Sequence, residues 1–302
     1  MPRLHILHRT TYNYRNPVAF GEHRLMMRPR ESYDQHVLFS HLNVSPEAHS
    51  LRHVHDVFGN CVSIAKFEGR YKELSFESRV VLDHNPVALV DHGQEFIGPG
   101  GLSLPFAYDA DDIPDLVRSV ERGFPDPDRA VEAWVRRFLK WNGPTFVLPL
   151  LSEMTKAIRA DFTYGKRLEH GTQTPAETLA LRTGTCRDFA VLMMEAARSL
   201  GLAAHFVSGY IYAPPSPKGV RHAGGGHTHA WVEVYLPSCG WVEFDPTNGI
   251  IGNRDLVRVA VVRDPKQAVP LWGSWDGKKG DYLGMEVEVD LAMEPERDLN
   301  VA

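Results

Sequence analysis

Cysteine is scarce in this chain, which has three among 302 residues. An odd number of scattered cysteines does not build a disulfide framework, so we expect a protein of a reducing compartment, the cytoplasm. No apolar stretch approaches the length of a membrane span. The first residues, 1–6, also lack the apolar core of a signal peptide.

An excess of positive charge is absent as well. The 33 Lys and Arg residues against 38 Asp and Glu give a formal net charge of −5, and no long basic run occurs. Nucleic acid and anionic membranes are therefore poor partners. With 43% hydrophobic and 24% charged residues, the composition is that of a soluble globular protein with room for two domains.

The chain divides into a strand-rich first third and a remainder in which helices precede strands. Residues 1–98 contain short half-apolar runs separated by turn residues, which predicts an all-β, sandwich-like N-terminal domain. Breakers rich in Gly and Pro bracket residues 99–127, which we predict to be the linker. Residues 128–302 follow as a second domain with C-terminal strands at 256–262 and 284–291. This order is typical of the α+β class, with a helix packed on an antiparallel sheet.

The clearest helix is predicted at residues 186–200. Its apolar residues recur at helical spacing from Phe189 onward, so Cys186 falls in the first helical turn but outside the apolar stripe. A free cysteine is more often a buried small hydrophobe. At a helix start, however, the unpaired N–H groups and the macrodipole favour a thiolate, which is typical of a reactive nucleophile.

A histidine and an aspartate follow at the ends of two predicted strands. His229 begins the strand at 229–236, and Asp245 ends the next one. Two adjacent antiparallel strands joined by a short turn would bring these side chains to the same end of a sheet. Alone, each has an ordinary explanation, a histidine in a sheet or a turn aspartate before proline. Together with Cys186 they supply a nucleophile, a base and an orienting carboxylate.

Other residues near these motifs are weaker candidates. The backbone N–H of Cys186 is a possible oxyanion donor, and Asp188 suits a helix start whatever its function. The Gly- and Pro-rich loop 213–227 is expected to form a flexible wall of the cleft. Six side chains are candidate oxyanion donors, braces or cleft walls: Tyr164, Gln173, Arg187, Asp188, Tyr210 and Trp231.

A metal site is the competing interpretation of the histidines. His222, His227 and His229 lie close together in sequence. No cysteine or carboxylate accompanies them at metal-ligand spacing, so the sequence predicts no metal and no other cofactor. Cys61 and Cys239 are expected to be ordinary thiols.

Several segments in combination resemble the bacterial transglutaminase-like proteins, which are often described as cysteine proteases. The resemblance spans nearly the whole chain and is weaker in the N-terminal part, where the turn at 56–60 carries it. The segments of the core are GTQTPAETL at 171–179, GTCRDFA at 184–190, VSGY at 207–210, HAWVEV at 229–234 and FDPTNG at 244–249.

The resemblance implies a papain-like transglutaminase core with Cys186, His229 and Asp245 as its triad. It also implies acyl transfer through a thioester, with a peptide or protein as substrate. Hydrolysis of an amide or peptide bond is the leading expectation. Transfer to an amine, as in a protein-glutamine transglutaminase, and a non-catalytic binding module on the same fold are the alternatives. His205, where the family usually carries Arg, and the stretch 263–270 depart from the family pattern.

Overall fold

The computed structural model describes residues 2–86, 102–165, 171–212, 226–237 and 239–294. It confirms the α+β class. The described helices are α1 (Ile113–Val120), α2 (Ala130–Arg136), α3 (Val147–Asp161), α4 (Pro175–Leu181) and α5 (Cys186–Ser199), with 3-10 turns at Pro265–Gln267 and Lys279–Asp281. The described strands are β1 (Arg3–Leu25), β2 (Gln35–Ser45), β3 (Ser50–His55), β4 (Cys61–Lys66), β5 (Tyr71–His84), β6 (Ser103–Leu104), β7 (Thr145–Phe146), β8 (Thr163–Tyr164), β9 (Thr183–Gly184), β10 (Ala204–Ile211), β11 (His229–Leu236), β12 (Gly240–Asp245), β13 (Ile250–Ile251), β14 (Leu256–Val262), β15 (Leu271–Asp276) and β16 (Tyr282–Met293).

The first sheet is organised by β1, which is 23 residues long. Its N-terminal half pairs with β5 and β16, and its C-terminal half pairs with β4 and β15. The sheet runs in the order β2-β5-β1-β4-β3, with the two C-terminal strands attached to β1. Alternate residues of β1, such as Leu4 and Ile6, are buried, as the period of a strand requires.

The last two strands therefore return to the N-terminal sheet by hydrogen bonding. The sequence pattern predicts a strand at 284–291, which corresponds to β16, but it misses β15, whose residues are largely exposed and do not alternate. The strand predicted at 256–262 is β14, and it pairs with β10 in the second sheet. The division into residues 1–98, 99–127 and 128–302 stays a prediction.

The second sheet runs in the order β13-β12-β11-β10-β14, and all its pairs are antiparallel. Helix α5 packs on β10 and β11, and α2, α3 and α4 contact it as well. Ala230, Val232 and Val234 share one apolar core with the helix, including Leu192 and Met193. Because neighbours surround α5, its start is held rigidly against the sheet that carries His229 and Asp245.

The two sheets pack against each other through an apolar cluster and paired side-chain hydrogen bonds. Leu4 and Leu82 of the first sheet meet Val257 and Val259 of the second. Asn60 donates from Nδ2 to the Val261 carbonyl and accepts from the Val261 N–H, both at 2.9 Å. Such two-way bonds to backbone fix the register between the sheets. Among the described helices, none is long and apolar enough to cross a membrane.

Candidate active site

Cys186 is the first residue of α5, as the helical pattern predicts, and it is 7% exposed. Thr185 precedes the helix in an extended conformation, and its N–H and hydroxyl donate to Asp188 Oδ2 at 2.8 and 2.9 Å. A Cβ at Gly184 would lie 2.9 Å from the Asp188 Cβ, so only glycine allows this close turn into the helix. The thiol thus sits at the positive end of the helix dipole.

His229 and Asp245 form a buried hydrogen-bonded pair. The distance between His229 Nε2 and Asp245 Oδ2 is 2.8 Å, and both side chains are fully buried. Burial lowers the pKa of His229, but the charge and hydrogen bond of Asp245 outweigh burial, and Cys186 raises the pKa further, so the net shift is upward. His229 Nδ1 has no hydrogen-bond partner among the described residues. It is therefore the nitrogen left for the proton of a thiol.

The Asp245 carboxylate is held by the chain that follows it. Its Oδ1 accepts from the N–H groups of Thr247 at 2.9 Å and Asn248 at 3.3 Å, and its Oδ2 accepts from Asn248 Nδ2 at 2.8 Å. Burial raises the pKa of Asp245, but His229 and these donors lower it to below its usual range. Thr247 and Asn248 are site residues that were not predicted from the sequence. The signal available was an aspartate starting a turn, where its side chain commonly accepts from the next N–H groups.

Gln173 and Tyr164 lie beside the start of α5. The Gln173 N–H donates to Asp188 Oδ1 at 2.7 Å, and its Oε1 accepts from the Thr178 hydroxyl at 3.0 Å. Tyr164 pairs with Gly184 between β8 and β9. Burial and the charges of Cys186 and Asp245 raise the pKa of Tyr164 to about 12, so its phenol stays a neutral donor.

Asp188 and Arg187 brace the start of the helix in different ways. Asp188 is fully buried and accepts hydrogen bonds from both Thr185 and Gln173. It therefore links the start of α5 to the residue before the helix and to the segment that precedes α4. Arg187 points to the turn at Pro265–Gln267, where its guanidinium donates to the carbonyls of Pro265 at 2.6 Å and Ala268 at 3.1 Å. Its carbon Cζ lies 4.7 Å from the centroid of the Phe206 ring. Arg187 therefore holds the 263–270 stretch rather than a substrate.

The two aromatic candidates, Trp231 and Tyr210, lie in different parts of the structure. Trp231 is fully buried, and its ring stacks on the His229 ring with centroids 6.0 Å apart, so it forms the wall behind the imidazole. A Cβ at Gly209 would lie 2.0 Å from the Val257 carbonyl oxygen and 2.8 Å from Trp231 Cη2, so only glycine fits between this backbone and the indole. The Tyr210 hydroxyl contacts His8 Nδ1 at 2.9 Å and donates to the Met27 carbonyl at 3.1 Å. Tyr210 thus belongs to the contact between the sheets.

The remaining sequence predictions fall elsewhere. The described residues hold no group of three or more His, Cys, Asp or Glu side chains arranged for a metal ion. His222 and most of the loop 213–227 lie outside the described residues. His205 contacts Glu233 at 3.1 Å and the Ser119 hydroxyl at 2.8 Å, and its ring stacks on Trp241 with centroids 4.0 Å apart.

Comparison with protein families accounts for both parts of the chain. Residues 4–83 match the bacterial transglutaminase-like N-terminal region, and residues 132–246 match the transglutaminase-like superfamily. An uncharacterised protein of Mycobacterium tuberculosis is 28% identical, over 95% of this chain and 92% of its own length. Another from Mycobacterium leprae is 23% identical, over 96% of this chain and 99% of its own.

A solved structure has the same fold. A candidate cysteine protease from Cytophaga hutchinsonii superposes with a TM-score of 0.68 at 20% identity, covering 98% of this chain and 92% of that one. This match confirms the N-terminal β domain and the papain-like core that the sequence predicts. The core match spans Cys186, His229 and Asp245. The chain therefore belongs to the transglutaminase-like superfamily, with the bacterial N-terminal region at residues 4–83 and the core at residues 132–246.

Proposed function

We propose that the protein is a cysteine hydrolase that cleaves amide or peptide bonds, with Cys186 as nucleophile, His229 as base and acid, and Asp245 as the residue that orients His229. The observation that supports this most directly is the 2.8 Å bond from His229 Nε2 to Asp245 Oδ2, which leaves Nδ1 for the thiol. A base held in one tautomer by a buried carboxylate is the arrangement that activates a nucleophile.

The electrostatics favour a thiolate next to an imidazolium. The raised pKa of His229 keeps the imidazole protonated near neutral pH, and the helix start stabilises negative charge on the sulfur of Cys186. Proton transfer from the thiol to Nδ1 thus leaves two opposite charges in contact. Their mutual attraction offsets part of the cost of burying each charge.

The reaction then follows in two balanced halves. The Cys186 sulfur attacks the carbonyl carbon, the C–N bond breaks, and the proton on His229 Nδ1 passes to the leaving amine. Water, deprotonated by the same nitrogen, attacks the thioester, and the thiolate leaves with a free carboxylic acid as product. The backbone N–H of Cys186 and the side chain of Gln173 are the groups we assign to the oxyanion, since Asp188 fixes Gln173 beside the helix start.

Alkylation by iodoacetamide tests the nucleophile, with two other thiols of the chain as internal references. Cys61 and Cys239 are partly exposed, whereas Cys186 is buried, so access alone predicts that Cys186 reacts last. Burial also raises the pKa of Cys239. We expect Cys186 to react first below pH 8 and to lose this advantage in His229→Ala. If Cys186 is labelled last in the wild type and His229→Ala has no effect on its rate, the nucleophile assignment is wrong. A non-catalytic binding module is then the better explanation.

The fate of the acyl group separates hydrolysis from amine transfer. Mass spectrometry of a glutamine-containing peptide mixture, incubated with and without a primary amine, reports cleaved, deamidated and amine-coupled products at once. We expect cleavage or deamidation to dominate in both arms and Cys186→Ala to abolish all products without loss of folded structure by circular dichroism. A predominance of amine-coupled products would assign the chain to the transferases instead.

A further inference from the structure

A cavity of about 500 Å³, whose lining includes none of the three triad residues, lies where the segment after β1 meets the second sheet. One side is formed by residues 30–34 together with Phe58, and the other by residues of β11, β12 and β14. The volume falls within the range of small-molecule sites. The residues that matter for its chemistry are Asp34, Phe58, Glu233, Trp241, Glu243 and Arg258.

Three buried carboxylates line the cavity, and Arg258 pairs with two of them. Arg258 serves two carboxylates at once: its Nη1 donates to Glu243 Oε1 at 2.7 Å, and its Nη2 donates to both oxygens of Asp34 at 2.5 and 2.7 Å. Glu233 stands directly opposite Glu243 in the register of β11 and β12. The side chains of Asp34, Glu233 and Glu243 are 4%, 8% and 3% exposed. The third carboxylate, Glu233, contacts His205 Nδ1 at 3.1 Å, and a second guanidinium, that of Arg30, also lines the cavity.

Glu243 is the carboxylate whose hydrogen bonds are incomplete among the described residues. Its Oε2 is buried and has no hydrogen-bond partner among the described residues. Burial raises the pKa of Glu243 to about 7, Glu233 and Asp34 raise it as well, and Arg258 opposes them only in part. A buried acceptor with no partner costs free energy, which a donor entering the cavity would recover.

The walls around this acceptor are aromatic. Trp241 and Phe58 line the cavity, and both are partly buried. Trp241 already contacts the rings of His205 and Tyr235, whose centroids lie 4.0 and 5.4 Å away. Aromatic surface beside carboxylates is the combination that recognises an organic cation, because the stem packs on the rings while the ammonium meets the acids.

We infer that this cavity binds a primary alkylammonium, with its N–H donors on Glu243 Oε2 and Glu233 and its methylene stem against Trp241 and Phe58. The described residues here do not form a set arranged to hold a metal ion, and the Arg258 guanidinium opposes a compact divalent ion at the centre. This site is separate from the proposed triad, and the inference does not depend on the proposed function.

Cadaverine is the probe for the test, and 1,5-pentanediol, of the same length but uncharged, is its control. Both are titrated into Cys186→Ala protein, in which no acyl transfer complicates binding. The readout is the indole N–H resonance of Trp241, assigned by its absence in Trp241→Phe. We expect a saturable shift with cadaverine and none with the diol.

Two substitutions locate the binding site. The titrations are run at about pH 8, above the pKa of Glu243. There Glu243→Gln keeps the shape but removes the charge, and we expect cadaverine binding about tenfold weaker or worse. Glu288→Gln removes an exposed carboxylate on β16, and we expect no change. If Glu243→Gln fails to fold by circular dichroism, Glu233→Gln replaces it with the same expectation. The inference is overturned if cadaverine gives no saturable shift, if the diol binds equally, if neither Glu variant weakens binding, or if calcium chloride gives the same shift.

Discussion

Asp245 and Glu243 lie two residues apart on β12, so their side chains leave the strand on the same side, and both are buried. The fold nevertheless moves their pKa values in opposite directions. Asp245 accepts four hydrogen bonds from His229, Thr247 and Asn248, and its pKa is lowered. Glu243 faces Arg258 and two other carboxylates, and its pKa is raised.

The comparison shows that burial alone does not decide the charge of a carboxylate. Desolvation acts on both groups in the same direction, towards the neutral acid. At Asp245, donors fixed by the following turn surround both oxygens and keep the charge in place. At Glu243, one oxygen has no partner among the described residues. The arrangement at Asp245 suits a permanent charge that orients His229. The arrangement at Glu243 suits a group that can accept a hydrogen bond from a bound ligand.

We expect the greatest loss of turnover from the removal of His229. His229→Ala deletes the cation that holds Asp245 ionised and the proposed base, so we expect turnover to fall about 10⁴-fold. Steady-state kinetics on the peptide substrate identified by the product screen measures the loss. His205→Ala is the matched control, because His205 also contacts a buried carboxylate, Glu233, but in the cavity, and we expect activity within about threefold of wild type. Equal losses in the two variants would contradict the assignment.

Asp245→Asn and Glu243→Gln form a matched pair of variants, since each replaces a buried carboxylate by its amide. We expect Asp245→Asn to lower turnover about 10²- to 10³-fold, less than His229→Ala, because the orienting group acts through His229. Glu243→Gln should leave turnover within about twofold. The ratio of kcat/KM values for the two variants is the measurement, and a ratio near one would refute the separation of the two sites.

Asn248 tests whether the turn after β12 positions the orienting carboxylate. Asn248→Ala removes the Nδ2 donor at 2.8 Å from Asp245 Oδ2, and Nδ2 also lies 3.5 Å from His229 Nε2. We expect about a tenfold loss of turnover, the effect of one hydrogen bond to a charged group. The pH at which alkylation of Cys186 is half-maximal should move with it. A loss of stability without this pH shift would make Asn248 merely structural.

Local signals explain what the sequence predicts well. The helix starting at Cys186 and the strands at 229–236 and 256–262 have the predicted starts or bounds, because apolar periodicity and turn residues mark them within the segment itself. The meeting of His229 with Asp245 follows from one short strand connection. These features require no knowledge of distant parts of the chain.

Distant contacts explain what the sequence leaves out. Tyr210 is a predicted cleft residue because it lies within one of the motifs. In the structure its hydroxyl contacts His8, which is 202 residues away in the chain. The carboxylate cavity depends on Asp34 meeting Arg258, a separation of 224 residues. β15 carries no alternating pattern because most of its residues are exposed, and its place in the sheet depends on pairing with the distant β1. The pattern of residues within one segment does not reveal which distant segment it pairs with.

We also expect a modest, pH-dependent difference in stability between Glu243→Gln and wild type. Glu243 keeps its proton in the folded state up to about pH 7, whereas the unfolded chain releases it near 4.5. Unfolding therefore releases a proton between these values, and the Glu243 contribution to stability falls as pH rises through that window. The amide cannot ionise, so the variant should gain relative to wild type from pH 4.5 to 7, by on the order of 2 kcal/mol or a few degrees in Tm.

Subtracting the wild-type stability from the variant stability at each pH cancels the contribution of the histidines, which titrate in both proteins. Asp245→Asn should show no such gain, because the pKa of Asp245 is already below its usual 3.8 when folded, and both states are ionised across this range. Differential scanning calorimetry at matched ionic strength is the measurement. A Glu243→Gln difference that stays constant with pH would mean that Arg258 alone satisfies Glu243, and the contrast between Glu243 and Asp245 would then have no electrostatic basis.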